Sequence, residues 1–126
     1  MLDQPTNLPG LLKDPSLIAT KAFIGGAWVD GENGATFAVT NPARGDVIAE
    51  VADASRAQAA EAIARAHAAQ KDWAAMTGKE RAAILRRWFD LMMENQDDLA
   101  PILTAEQGKP LPEATGEIAY GAAFIE

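Results

Sequence analysis

Residues 81–126 read RAAILRRWFDLMMENQDDLAPILTAEQGKPLPEATGEIAYGAAFIE, and their reading decides the fold. Ile84, Leu85, Trp88, Leu91 and Met92 recur at spacings of three and four, the mark of a helix with one apolar stripe. Just upstream, Thr77 and Glu80 have the spacing of a capping box, in which each side chain satisfies a free backbone donor at the helix start. A polar break at Asn95-Gln96 leads into a further helix from about Asp97 or Asp98. Pro101 is expected in its first turn, because deeper in it would remove a ladder bond. The run Glu106-Gln107-Gly108-Lys109-Pro110 is a helix stop. Another helix opens near Leu111-Pro112-Glu113, with Ile118, Ala122 and Ile125 on one strip and Tyr120 and Phe124 together on its neighbour. No glycine, asparagine or proline follows to close it, and native helix ends leave carbonyls that need partners. The chain therefore reads as a piece of a longer protein.

Working outward, the period changes. Ser55 and Gln58 form another capping box, and the helix they open runs to about Trp73, with Ala59, Ile63, Ala66 and Trp73 expected on its buried side. Before Ser55 the pattern is that of strands. Ala22 to Val29 places two β-favouring runs around Gly25-Gly26, a hairpin signal. Thr36 to Thr40 alternates, with Phe37 and Val39 on one face, and Val47 to Val51 is a further strand beyond turns at Asn41-Pro42 and Gly45-Asp46. Asp14 is placed to cap a short helix with Pro15 at its first position. Residues 1–13, broken by Pro5, Pro9 and Gly10, read as an N-terminal arm. The fold class expected is α+β, a small N-terminal β-meander followed by about four helices.

The 126 residues bound this to one domain at most. Alanine supplies 27 of them, so the core should be modest and the eight aromatic residues, Phe23, Trp28, Phe37, Trp73, Trp88, Phe89, Tyr120 and Phe124, should be its packing anchors. A net charge of −7 repels a phosphate backbone, which argues against nucleic acid as a partner. The basic group Arg81, Arg86 and Arg87 sits beside Asp90 and Glu94 and reads as a solvated helix face. No secretory signal opens the chain, and no apolar run reaches the ~20 residues of a membrane span. A cytoplasmic chain with no membrane partner is expected.

Chemistry is sparse. With no cysteine in the sequence, a disulfide framework, a thiolate metal site and a cysteine nucleophile are all excluded within these residues. His67 is the only histidine, and it lacks the companions that a zinc site or a catalytic relay needs. Gly26 and Gly31 have a phosphate-loop gap, but Glu32 stands where lysine is required and no helix opens there. Asp97-Asp98 and Glu113/Glu117 lie near helix N-termini, where the helix dipole accounts for them. Lys109 follows a helix stop, in a turn that offers no desolvated setting for a Schiff base.

The ordered series FIGGAWVDG, VTNPARGDVIAEV, a helix ending in Trp73, KERAAILRRWFDLMMENQDDLA and EQGKPLPEATGEIAYGAAFIE resembles the N-terminal part of the NAD(P)-dependent aldehyde dehydrogenase superfamily. Residues 14–126 carry the resemblance, as the incomplete first part of a cofactor-binding domain. WFDLMMENQDDLA and GEIAYGAAFIE look most like succinate-semialdehyde dehydrogenases. The resemblance implies an α/β, Rossmann-type whole protein that oxidises a small-molecule aldehyde, succinate semialdehyde, to its acid with NAD or NADP, as a homo-oligomer. It implies a cysteine thiolate that attacks the aldehyde, an amide that stabilises the oxyanion, hydride transfer to nicotinamide and a glutamate that activates water. In the family these residues lie further along the chain, so no catalytic or cofactor-binding residue carries over and residues 1–126 alone should be inactive. Two minor assignments follow. Tyr120 and Phe124 match a helix bordering the aldehyde entrance tunnel, against plain core packing. Backbone carbonyls at Thr40 and Glu106 match a structural cation site found in some members. The competing reading from another class is a free-standing, non-enzymatic helical module that docks through Ile118, Ala122 and Ile125.

Overall fold

The computed structural model describes residues 7–126; residues 1–6 of the expected arm lie outside the described residues. Four strands come first: β1 (Ala22–Ile24), β2 (Ala27–Val29), β3 (Thr36–Thr40) and β4 (Val47–Ala52). Four helices follow: α1 (Arg56–Ala75), α2 (Gly78–Glu94), α3 (Gln96–Gln107) and α4 (Leu111–Ala123). The α+β expectation holds, with one refinement. The strands form two separate antiparallel hairpins, β1–β2 and β3–β4, rather than one continuous meander. The two-residue turn between β1 and β2 is Gly25-Gly26, with φ of 61° and 84°, a combination that glycine adopts without a Cβ penalty. Phe23 pairs with Trp28 across that ribbon, their ring centroids 5.1 Å apart. Between β3 and β4 the register shifts at Val39/Thr40.

Local chemistry ties these parts together. Ser55 and Gln58 form the capping box at α1, as expected. Gln58 goes further: its Oε1 also accepts from Glu32 N at 3.0 Å, and its Nε2 donates to Asp30 O at 2.9 Å. One side chain thus joins the start of α1 to the turn between the hairpins. The Thr77/Glu80 box opens α2. Arg81 Nη1 donates to Met76 O at 3.1 Å and Ala74 O at 3.4 Å, which gives carbonyls at the end of α1 a partner. Arg81 thus departs from the solvated face expected, while Arg86 and Arg87 keep to it: Arg86 pairs with Asp90 and Glu126, and Arg87 with Glu94.

α3 and α4 pack as a helical hairpin, with α2 laid across α4. Gly108 turns the corner with φ 84°, and Gln96 Nε2 donates to Thr115 O at 2.9 Å. Pro101 differs from expectation. α3 already starts at Gln96, directly after Asn95, which both ends α2 and opens α3. Pro101 therefore lies beyond the first turn, inside the helix, where its missing N–H leaves the Asp97 carbonyl without the usual ladder donor.

The core also differs from expectation. Its buried apolar residues are Leu8, Ala100, Ala105, Ala114 and Ala122. Of the aromatic residues only Phe89 is half-buried; the others are exposed. α1 buries none of its residues, and Ala59, Ile63, Ala66 and Trp73 stay exposed. The physical reason is architectural. Each hairpin is a two-stranded ribbon, and among the described residues α1 packs against β1 and is tied by side-chain hydrogen bonds near its two ends. The stripe on α2 splits for the same reason. Leu85, Phe89 and Met92 are half-buried, whereas Ile84, Trp88 and Leu91 point away.

Candidate functional site

The corner between α3 and α4 is where sequence-derived site residues and tertiary structure meet. Thr40 ends β3 and Glu106 lies in the last turn of α3. Two residues beyond each of them the chain approaches itself closely: a Cβ on Gly108 would stand 3.0 Å from Pro42 Cγ. The last turn of a helix presents backbone carbonyls and the negative end of its dipole, a setting that suits a cation. No cluster of three or more His, Cys, Asp or Glu side chains that could hold a metal ion lies among the described residues. Beside this corner lies an apolar cavity of about 380 Å³, lined by Leu11, Pro101, Thr104, Ala105, Leu111 and the Asn41/Arg44 turn.

Tyr120 and Phe124 stand on the outer face of α4, 67% and 75% exposed. Their rings meet edge to face with centroids 4.9 Å apart, a favourable aromatic geometry. The neighbouring strip behaves in the opposite way. Ala122 is buried and Ile118 and Ile125 are half-buried, on the helix that α2 and α3 cover.

The remaining candidates are dispersed. His67 is exposed on α1. Lys109 is ion-paired with Glu117 across the α3–α4 corner, which gives it a structural task. The perturbed titrations are all at caps and ion pairs. Hydrogen bonds from the Ser16 hydroxyl and N–H lower Asp14, and those from Thr77 lower Glu80. The Lys13–Asp97 hydrogen bond and charge attraction raise the lysine and lower the aspartate. None of these groups lies in a cleft, so none is marked as a catalytic acid or base.

Sequence reasoning missed Asp98. It is 4% exposed, and its two carboxylate oxygens accept from Lys13 N and Asp14 N, each at 2.9 Å. The helix dipole was a sufficient reason for an aspartate there, and nothing local announces partners more than eighty residues upstream.

Two hairpins followed by four helices are shared with solved aldehyde dehydrogenases. The chain belongs to the aldehyde dehydrogenase family, whose sequence profile matches residues 28–126. Among its relatives, the glutarate-semialdehyde dehydrogenase of Pseudomonas putida is 56% identical over 91% of the chain. The NADP(+) succinate-semialdehyde dehydrogenase of Escherichia coli is 52% identical over the same share. The crystal structure of succinate-semialdehyde dehydrogenase from Burkholderia pseudomallei superposes on 90% of the chain with a TM-score of 0.87 and 56% identity. The chain spans 24% of the length of the two curated relatives and 23% of the solved one. No helix among the described residues is long and apolar enough to cross a membrane.

Proposed function

We propose that these residues form the N-terminal scaffold of an NAD(P)-dependent dehydrogenase that oxidises succinate semialdehyde to its acid, in a cytoplasmic homo-oligomer. The observation that supports this reading most is the 56% identity to a solved succinate-semialdehyde dehydrogenase over 90% of the chain. Residues 14–126 act as the first part of the cofactor-binding domain and residues 1–13 as its arm. Tyr120 and Phe124 border the path of the aldehyde, where an exposed aromatic pair gives an apolar wall that leaves the charged end of the substrate to other groups. The carbonyls of Thr40 and Glu106 hold a structural cation. Residues 1–126 supply no thiolate nucleophile, because they contain no cysteine, and are inactive alone.

A chimera tests this. Residues 28–126 replace the matching segment of the Burkholderia pseudomallei enzyme, and NAD(P)H formation is followed with succinate and glutarate semialdehyde. The chimera should keep the parent's kcat and KM for succinate semialdehyde, and Y120A and F124A in it should raise KM more than they lower kcat. The isolated chain should give no turnover. A chimera that folds but oxidises only glutarate semialdehyde would transfer the substrate assignment to the five-carbon acid. Turnover by the 126-residue chain itself would overturn the division of labour.

A further inference from the structure

We infer that residues 7–14 form a strap latched to α3 by Asp98, and that releasing the latch unwalls the cavity at the α3–α4 corner. The strap is held at its two ends. At one end Leu8 is 1% exposed. At the other, both oxygens of the Asp98 carboxylate are used, Oδ1 by Lys13 N and Oδ2 by Asp14 N. Charge-assisted bonds of this kind are stronger than neutral ones, and the carboxylate is buried, so nothing in solvent replaces either N–H cheaply. The Lys13 ammonium also reaches Asp97 Oδ2 at 2.7 Å, but that pair is exposed and adds little.

Between the two ends the strap is loosely seated. Pro9–Leu11 form one 3-10 turn, and Leu11 is largely exposed while still contributing a wall to the 380 Å³ cavity. Thr104 lines the same cavity, its hydroxyl buried without a hydrogen-bond partner. A segment with two fixed ends and an underpacked middle is the kind of unit that opens locally, without unfolding the helices beneath it. Opening takes Leu11 away from the cavity and gives Thr104 and the apolar side of α3 access to solvent.

Amide hydrogen exchange on the intact chain reads the latch directly. The Lys13 and Asp14 amides should be protected at least about tenfold relative to an unstructured peptide. D98A should abolish that protection, D97N should preserve it, and the α3 and α4 amides should keep theirs in both. Should D98A loosen α3 as well, K13P provides a second route. It deletes one donor without touching Asp98, and Leu12, at φ −101° and ψ 145°, already has the extended backbone that precedes proline. Protection of Asp14 should then fall while α3 is unchanged. Free-peptide exchange at Lys13 and Asp14 in the unaltered chain, or Asp14 protection that survives both D98A and K13P, would overturn the latch.

Discussion

Replacing Gly108 with alanine tests the corner on which the cation proposal rests. Gly108 has φ 84°, and placing an L-residue in that left-handed region costs about 1–2 kcal/mol. A steric contribution adds to this. The new Cβ would lie 3.0 Å from Pro42 Cγ and 3.9 Å from Pro42 Cβ, whereas carbon atoms rest at about 3.5–4.0 Å. The proline ring or the end of α3 must give way by several tenths of an ångström, and overpacking of this kind costs a further ~1 kcal/mol or more. G108A should therefore lose about 2–3 kcal/mol in all. Gly45 supplies the control, because its φ is 79° and a Cβ there meets nothing within 4 Å. G45A should lose only the backbone part, about 1–2 kcal/mol. Urea unfolding followed by circular dichroism at 222 nm compares the two. P42A in the G108A background should recover the steric part, and the double-mutant cycle isolates it from the effect of proline on the unfolded chain. Equal losses for G108A and G45A, with no coupling to Pro42, would show that the β3–β4 turn does not press on α3. The carbonyls of Thr40 and Glu106 would then have no reason to share a ligand.

Three further outcomes follow from the same contacts. S55A should cost about 1 kcal/mol, the usual value of an N-cap, and Q58A should cost more, since Gln58 also serves Glu32 and Asp30; thermal melts of the two variants check the order. Glu80 is lowered by its Thr77 hydrogen bonds, so its contribution is present above the ordinary glutamate pKa and is lost as pH falls through the lowered folded value. Protection of the first α2 amides, relative to intrinsic exchange at the same pH, should fall on acidification below about pH 4, and T77A should remove that pH dependence. A122L should destabilise by about 1–3 kcal/mol through overpacking, because Ala122 is fully buried, with A123L, on the exposed side of the same turn, near neutral in the same urea titration.

What could be read from the sequence was local. Ser55/Gln58, Thr77/Glu80, Gly25-Gly26 and Gly108 each act within about four residues, and each stands where its spacing placed it. Pro101 escaped because Asn95 lets one helix follow another without a gap, which moves the start of α3 upstream. Periodicity placed α1 and α2 as helices, but it could not say what covers their apolar residues, so the expected buried side of α1 is exposed and the α2 stripe splits. Asp98 escaped because its partners are backbone amides, which leave no trace in residue identity. Tyr120, Phe124, Thr40 and Glu106 were reached only through family resemblance. Their residue types carry no motif, and a carbonyl site has none to carry.

Exposed aromatics and buried alanines together say how this scaffold holds its shape. Alanine at positions 100, 105, 114 and 122 lets α3 and α4 approach closely, but each alanine removes little apolar area from water. Large side chains such as Trp28, Trp88 and Phe124 would contribute far more, yet their area remains in solvent. The stability of these residues by themselves must therefore lean on directional anchors: two capping boxes, the Gln58 bridge, the Arg81 clasp and the Asp98 latch. Such anchors fix the arrangement of elements without supplying much burial, which explains how a chain with so small a core can share its backbone with an enzyme four times its length. It also sets an order for perturbation. Removing an exposed aromatic should leave this chain nearly unchanged, whereas removing one anchor should release the element it holds.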